Sequence, residues 1–302
     1  MGTRLFISIR PDRRGGGSTT FAWNAARWAR RRGYRVVDTI DNADVAIIIA
    51  HCGATEADLA QAQTRGCFIL HRIDEHFNGP LGDAYRKKHE QIHRLNQFAD
   101  ITVFQSRFVE QTAQPILQHP RHVVILNGAD PSRFRPARRA GTVIGHVTWG
   151  LIAKKRIDRV HETILQHPDE TFHLIGPHAE HPELDFHLPN ARLRGKRSRR
   201  QLPSEYRKMK LLFFPSENDP CPNTVIEAIL SGVPVCYHAS GGTPELVREC
   251  GEPLDKLDKL LRGLPAYRAR CLQRHDLHFE TMMQQYESLW LNRSCRQRTD
   301  DA

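Results

Sequence analysis

The sequence predicts an α/β protein made of two consecutive doubly wound parallel-sheet domains. Three observations carry this. Short apolar runs alternate with amphipathic helical segments along most of the chain, the βαβα signature of a parallel sheet. Several runs are continuously apolar, as in strands buried on both faces. The alternation pauses once, at Phe134-Arg135-Pro136-Ala137-Arg138-Arg139-Ala140-Gly141, and then restarts. Pro, Gly and charge together read as a linker, so the expected divisions are 1–137, 138–280 and a C-terminal helix with a frayed tail over 281–302, the helix being expected to pack back on the first domain.

The elements follow in order. Leu5 to Ile9 reads as a strand, followed by a Gly-rich turn and a helix from Phe21 to Arg32 that Gly33 closes. Tyr34 to Asp38 and Val45 to Ile49 are strands, and Glu56 to Arg65 is a helix ending at Gly66. Cys67 to Leu70 is a strand, Lys87 to Phe98 a helix, and Ile101 to Phe104 and Val123 to Leu126 are strands. After the linker come a strand Val143–Val147, a helix from Arg156 to Gln166, and strands at Phe172–Ile175 and Ala191–Leu193. Then follow a helix Leu202–Lys208, a strand Leu211–Phe214, a helix Thr224–Ser231 and a strand Val233–Tyr237. A further helix starts at Pro244, and a helical tail is expected from about Leu254 to Leu291. Two Rossmann-like halves of this kind are expected to face a central cleft, with ligands at the carboxyl ends of the strands.

Composition narrows the class. The chain has 302 residues, 39% of them hydrophobic, enough for a real core. The longest clean apolar run, Val45 to Ala50, is far short of the roughly 20 residues that cross a bilayer. The first residues carry no secretory pattern, so a cytoplasmic location is expected, with peripheral contact at an anionic inner membrane face left open. Seven cysteines without a CxxC pair argue against a disulfide framework and a clustered zinc site. The net charge of +10 makes an anionic partner plausible without choosing one.

Three stretches carry chemistry. Gly15-Gly16-Gly17-Ser18-Thr19-Thr20 lies between a strand and a helix, where bare backbone N–H groups can approach a phosphate. A flexible turn is the competing reading, because the spacing fits neither dinucleotide nor P-loop fingerprints. In Pro215 to Ala228, Asp219 and Glu227 flank a helix entrance, an arrangement suited to a polyhydroxyl ligand. His238-Ala239-Ser240-Gly241-Gly242-Thr243 offers a second glycine turn before a helix, another place where bare backbone can meet an anion.

These motifs resemble the retaining, nucleotide-sugar-dependent glycosyltransferases of GT-B fold (glycosyl transferases group 1). The resemblance lies in Asp219, seven residues, Glu227-Ala228, then Gly232-Val233-Pro234-Val235 and Gly241-Gly242-x-Pro244-Glu245. It extends to Asn127-Gly128-Ala129-Asp130, and to Ile144-Gly145-His146 with Lys154-Lys155-Arg156. It implies a transferase with no cofactor and no metal, moving a sugar from a nucleotide-diphosphate donor, UDP rather than GDP, to an acceptor hydroxyl. Gly16, Gly17, Lys155, His146, Asn223, Thr224 and Val225 are then expected at the diphosphate, Glu227 at the ribose hydroxyls and Asp219 near the transferred sugar. Asp74 or His71 is the candidate acceptor base, and capping of the following segment is the competing reading of Asp74. Two departures stand out. Asp219 replaces the usual Glu, and His146 replaces the usual Arg, so the second cation is His146 only when protonated, or else Lys154 or Arg156.

The acceptor is the least specified partner. A saccharide or lipid-linked glycan is expected; protein or nucleic acid glycosylation, and a degenerate nucleotide-sugar-binding protein, remain alternatives. The stretch Arg192, Arg194, Lys196, Arg197, Arg199, Arg200 reads either as a solvated loop or as an anion contact for donor, lipid or nucleic acid backbone. Few aromatics interleave with it, which disfavours nucleic acid.

Overall fold

The computed structural model describes residues 2–10, 16–78 and 82–292; Gly15, Cys295 and the tail expected to fray lie outside them. The chain divides into two compact units, Met1–Leu126 with Met282–Ala302, and Asn127–Thr281. Phe134, placed by its sequence context in the linker, is instead buried in the second unit, edge-on to Tyr206.

The first unit runs β1 (Arg4–Ile7), α1 (Gly17–Arg31), β2 (Arg35–Val37), β3 (Val45–Ile49), α2 (Glu56–Thr64) and β4 (Phe68–Ile73). It continues with α3 (Asp83–Asn96), β5 (Ile101–Phe104), α4 (Arg107–Leu117) and β6 (His122–Val124). The strands order as β2-β1-β3-β4-β5-β6, and all neighbours are parallel. All five residues of β3 are buried, because helices cover both faces of the central strand. Helix α2 opens on a capping box in which Thr55 and Asp58 each satisfy the other's backbone N–H.

The second unit runs β7 (Val143–Val147), α5 (Ile157–Gln166), β8 (Phe172–Ile175), β9 (Ala191–Gly195), α6 (Leu202–Tyr206) and β10 (Met209–Phe214). It continues with α7 (Asn223–Leu230), β11 (Val235–Tyr237), α8 (Thr243–Val247), β12 (Gly251–Pro253), α9 (Leu257–Arg262) and α10 (Leu264–Cys271). Its parallel order is β12-β11-β10-β7-β8-β9. The order of connection reverses between β1 and β3 in one sheet and between β7 and β10 in the other. At such switch points adjacent loops leave in opposite directions and open a crevice at the carboxyl edge.

Two elements depart from the sequence reading. Helix α4 was not expected, since Pro115 and a run of Gln mask it; the Ser106 hydroxyl caps its start by accepting from the Val109 N–H at 3.1 Å. The long helical tail is three helices. Gly263 and Pro265 restart it at α10, and a 3-10 turn at His275–Leu277 precedes α11 (Phe279–Leu291).

Helix α11 returns to the first unit, as the sequence implies. Tyr286 packs on Phe21 at 5.6 Å between ring centroids, and Trp290 meets Trp28 and Tyr34 edge-on. Glu287 accepts from the Tyr34 hydroxyl at 2.6 Å and pairs with Arg32 at 2.9 Å. Among the described residues no helix is long and apolar enough to cross a membrane, and none of the six described cysteines is in a disulfide.

Trp28, 1% exposed, anchors α1 under this aromatic group. Trp28→Ala is expected to destabilise the chain by about 3–5 kcal/mol, the usual result of emptying a packed indole site. Urea unfolding followed by far-UV circular dichroism reads the shift; an unchanged midpoint would contradict the packing account.

Candidate functional site

The second unit builds its site from three loops that leave the carboxyl ends of β7, β10 and β11. Thr148 begins the first loop; its hydroxyl donates to the Gly150 carbonyl at 2.7 Å. Gly176, at the end of β8, comes so close that a Cβ there would lie 2.3 Å from the Thr148 carbonyl oxygen. A 3-10 turn, Ala153–Lys155, follows, with the Lys155 N–H donating to Ile152 O at 2.8 Å.

Lys155 Nζ reaches across to Asp219 Oδ2 at 3.0 Å, and both side chains are largely shielded, 22% and 16% exposed. Sequence reading gave these residues separate tasks; the fold makes them one ion pair. The loop after β10 is fixed on both sides. Glu217 N–H donates to Lys154 O at 2.8 Å, and Asn218 N–H donates to Ser240 Oγ at 2.9 Å. The Gly242 N–H donates to Asp219 O at 2.9 Å. Gly241 has φ +66, and a Cβ there would sit 2.6 Å from Asp219 O, so only glycine fits this contact. The glycine turn thus serves to seat the Asp219 backbone.

Arg156, one of the substitute phosphate cations, is already committed: its guanidinium holds Asp158 at 2.8 Å and also the carboxylate of Glu217. The hydrogen bond it donates to Asp158 is the main cause that raises its pKa, with the one to Glu217 adding to it. Lys154 is exposed. His146 does not provide the second cation. It is 1% exposed, its Nδ1 shares a hydrogen bond with His178 Nε2 at 2.7 Å, and burial drives its pKa well below 6.5, helped by the charges of His178 and Lys155. It is therefore a neutral packing residue.

Helix α7 begins beneath this loop. Asn127 Nδ2 donates to Cys221 O and to Asn223 Oδ1, each at 3.2 Å, tying the Asn-Gly turn to the helix entrance. The N–H groups of Val225 and Ile226 fold back onto Pro222 O at 3.1 and 3.3 Å. Val225 therefore already has a partner for its backbone donor, and its side chain is in the core. Asn223 and Thr224 are half-buried at the helix start. One turn on, Glu227 accepts from the Tyr206 hydroxyl at 3.0 Å. Burial pushes its carboxyl up to about 7, against the opposing pull of the Tyr206 hydrogen bond and the charges of Arg133 and Arg199. Tyr206, Arg133 and Arg199 are neighbours of Glu227 that the sequence motifs did not reveal, because they lie up to 94 positions from it along the chain.

The basic stretch is partly internal. Glu205, 3% exposed, gathers Lys208 at 3.1 Å, Arg197 at 3.3 Å and Arg194 at 3.5 Å. Burial is the largest influence on this carboxyl and pushes it up, but the Lys208 hydrogen bond and the surrounding cations hold it below the ordinary value. Lys196 pairs with Glu180 at 3.3 Å. Arg133 donates to Arg199 O at 2.7 Å.

In the first unit Gly16 caps α1 at the carboxyl edge of β1, exposed like Gly17, and its carbonyl accepts from the Thr20 hydroxyl at 2.7 Å. The Asp74 carboxylate accepts from the Ser18 hydroxyl and from Arg72 Nη1 at 2.9 Å. Arg72, 2% exposed, is held in turn by Gln105 at 3.0 Å and by the Phe21 ring. Asp74 and the glycine turn are therefore brought together. His71 is not part of this group. It is 1% exposed, its Nε2 lies 2.8 Å from Ala50 O, its Nδ1 lies 2.9 Å from Asn96 Nδ2, and burial lowers its pKa to about 4. Both ring nitrogens are engaged inside the sheet layer, so it offers no base to a ligand.

The comparisons agree with this architecture. The fold is GT-B, the two-domain Rossmann-like class. It is similar to sucrose-phosphate synthase from Thermosynechococcus elongatus, with TM-score 0.76, 14% identity and 100% of each chain covered. It is similar to Anabaena HepE in complex with UDP, with TM-score 0.72, 15% identity, and 96% of this chain and 100% of that one covered. WaaG, a glycosyltransferase involved in lipopolysaccharide biosynthesis, gives TM-score 0.66 at 14% identity over 95% of this chain and 99% of its own. Residues 148–260, which contain all three loops, match the family model Glycosyl transferases group 1. No curated protein matches the sequence.

The raised carboxyl of Glu227 has a stability consequence. A carboxyl pKa higher in the folded chain than in the unfolded one means that the folded state holds the proton more tightly. Stability from this group is therefore full below about pH 4.5 and lost as pH rises through about 7. Glu227→Gln is expected to raise the urea midpoint above pH 7, with the gain vanishing toward pH 4.5. A gain independent of pH would contradict the assignment.

Proposed function

We propose that the chain is a nucleotide-sugar-dependent glycosyltransferase that moves a sugar to an acceptor hydroxyl with retention of anomeric configuration and without a metal. The observation that carries the reading is the shielded Lys155–Asp219 pair at the switch point of the second sheet, within the segment that matches the family model. In this reading Lys155 turns from Asp219 to the donor diphosphate, a compact cation for a dense anion. Asp219, released, accepts from hydroxyls of the transferred sugar. The start of α7 at Asn223 and Thr224 adds helix-terminal donors, and Glu227 accepts from the ribose hydroxyls.

As the bond between the anomeric carbon and the diphosphate breaks, negative charge grows on the departing oxygen. Lys155 is aimed at that charge and stabilises it more than the ground state. The acceptor oxygen bonds to the same face, and its proton passes to the departing phosphate oxygen. Asp74, fixed by Arg72 and Ser18, is the proposed carboxylate that orients the acceptor, and Gly16 and Gly17 offer bare backbone to phosphate. HepE was solved with UDP and with UDP-glucose, which favours UDP as the nucleotide; the proposed acceptor is a saccharide or lipid-linked glycan. A second reading, donor binding without transfer, draws on the neutral, buried His146; release of free glucose from UDP-glucose separates the two.

A thermal-shift screen of UDP-, GDP-, ADP- and CMP-sugars tests the donor. UDP-glucose is expected to raise Tm by several degrees, as saturating ligands do at about 100 times their Kd, and Lys155→Ala to remove the shift. No shift with any nucleotide sugar would overturn the reading. The affinity for UDP is also expected to fall as pH drops through about 7 in the wild type and to stay flat in Glu227→Gln, because only the carboxylate accepts two hydroxyl hydrogen bonds. Calorimetric titration across that range reads both.

A further inference from the structure

Two cysteines of the second unit meet. Cys250 closes the 3-10 turn Arg248–Cys250 after α8, and Cys271 is the last residue of α10. Cys271 Sγ lies 3.8 Å from Cys250 O, and its thiol donates to the Cys250 sulfur. Arg274 completes the group. Its Nη1 donates to Leu246 O at 2.6 Å and to Cys250 Sγ at 3.7 Å, while Nε and Nη2 hold Asp276 at 2.8 and 2.9 Å. The guanidinium is therefore fixed against one sulfur.

The two thiols are not equivalent. At Cys236, where the nearby charges are those of Asp255 and Glu252, burial pushes the thiol up to about 12, as expected of an inert core cysteine. Cys250 goes the other way. The hydrogen bond from Cys271 lowers its thiol below the ordinary value and Arg274 adds to this, while burial and Asp276 oppose them. The same hydrogen bond raises the Cys271 thiol, and burial adds to it. One sulfur is thus biased toward thiolate beside a partner kept as thiol. Both are buried, at 1% and 2% exposure, but their chain neighbours Glu249, Arg270 and Leu272 are exposed, so the pair lies one layer below solvent.

We infer that Cys250 and Cys271 form a peroxide-reactive dithiol, with Cys250 as the nucleophile and Cys271 as the resolving thiol. The Cys250 thiolate attacks one oxygen of hydrogen peroxide; the O–O bond breaks, hydroxide leaves, and Cys250 becomes a sulfenic acid. The Cys271 sulfur then attacks the Cys250 sulfur, the S–O bond breaks, and the Cys271 proton leaves with the hydroxyl as water. In sum, two thiols give up two electrons, one peroxide becomes two waters, and a disulfide forms. Hydrogen peroxide suits the site because it is small and uncharged, whereas a tripeptide disulfide such as oxidised glutathione is too bulky to reach sulfurs below the surface. The bond links residues 21 positions apart and fixes the far end of α8, the helix that begins at the glycine turn seating Asp219. This chemistry is independent of the transferase reading.

The test treats the folded full chain with hydrogen peroxide, quenches with catalase, unfolds it in iodoacetamide and maps the peptides by mass spectrometry. A Cys250–Cys271 linked peptide is expected, lost on adding dithiothreitol, and formed about tenfold more slowly or less by oxidised glutathione at the same concentration. Cys271→Ser keeps a hydroxyl donor beside Cys250 and is expected to stop at the sulfenic acid, read as a dimedone adduct on Cys250 when the treated chain is unfolded in that reagent. Cys250→Ser should give no adduct on Cys271. Circular dichroism checks that each variant is folded, and where one is not, the wild-type peptide map decides. No linked peptide after peroxide, linkage of either cysteine to a third one instead, or an adduct on Cys271 in Cys250→Ser overturns the inference.

Discussion

The ion pair between Lys155 and Asp219 is the contact on which the second unit's site depends. It joins the loop after β7 to the loop after β10, the two strands between which the sheet reverses its order. Around it the backbone is over-determined. Asp219 is gripped by Gly242 N–H and leaves room only for a glycine at 241, while Glu217 is held to Lys154. In the proposed reading this shielded pair is exchanged: an entering diphosphate, with more charge than Asp219, takes the lysine, and the freed carboxylate accepts from sugar hydroxyls.

The same economy recurs at the other charged groups. Glu205 absorbs much of the basic stretch from Arg194 to Lys208, so that stretch is first a way of placing β9 against α6. Arg72 stays buried because Asp74, Gln105 and the Phe21 ring divide its donors and its charge. Glu227 differs. It keeps a carboxyl near neutrality at a half-buried position with a single tyrosine donor, an arrangement that costs stability and is typical of positions retained for function.

How much of this was legible in sequence varies with the kind of interaction. The two sheets were, because continuous apolar runs such as Val45–Ile49 have few other uses. So was the return of α11 to the first unit. Helix α4 was not, since Pro115 disguises it, and Gly263 and Pro265 broke a tail that periodicity alone joined. At the candidate site, local motifs singled out Asp219, Glu227 and Lys155, but not that the lysine and the aspartate touch, because they stand 64 positions apart in the chain. His71 and His146 show the opposite error. Each stands near a strand end in sequence, yet their strands turn them into the sheet layer, where burial keeps them neutral. The glycine turn at 241–242, read as an anion cradle, proved to be the seat of the Asp219 backbone.

The most direct measurement is a crystal structure of the chain with UDP. The account predicts the diphosphate within hydrogen-bonding distance of Lys155 Nζ, the Lys155–Asp219 bond opened, and the ribose hydroxyls on Glu227. UDP bound elsewhere, with Lys155 still on Asp219 and Glu227 still held only by Tyr206, would contradict it.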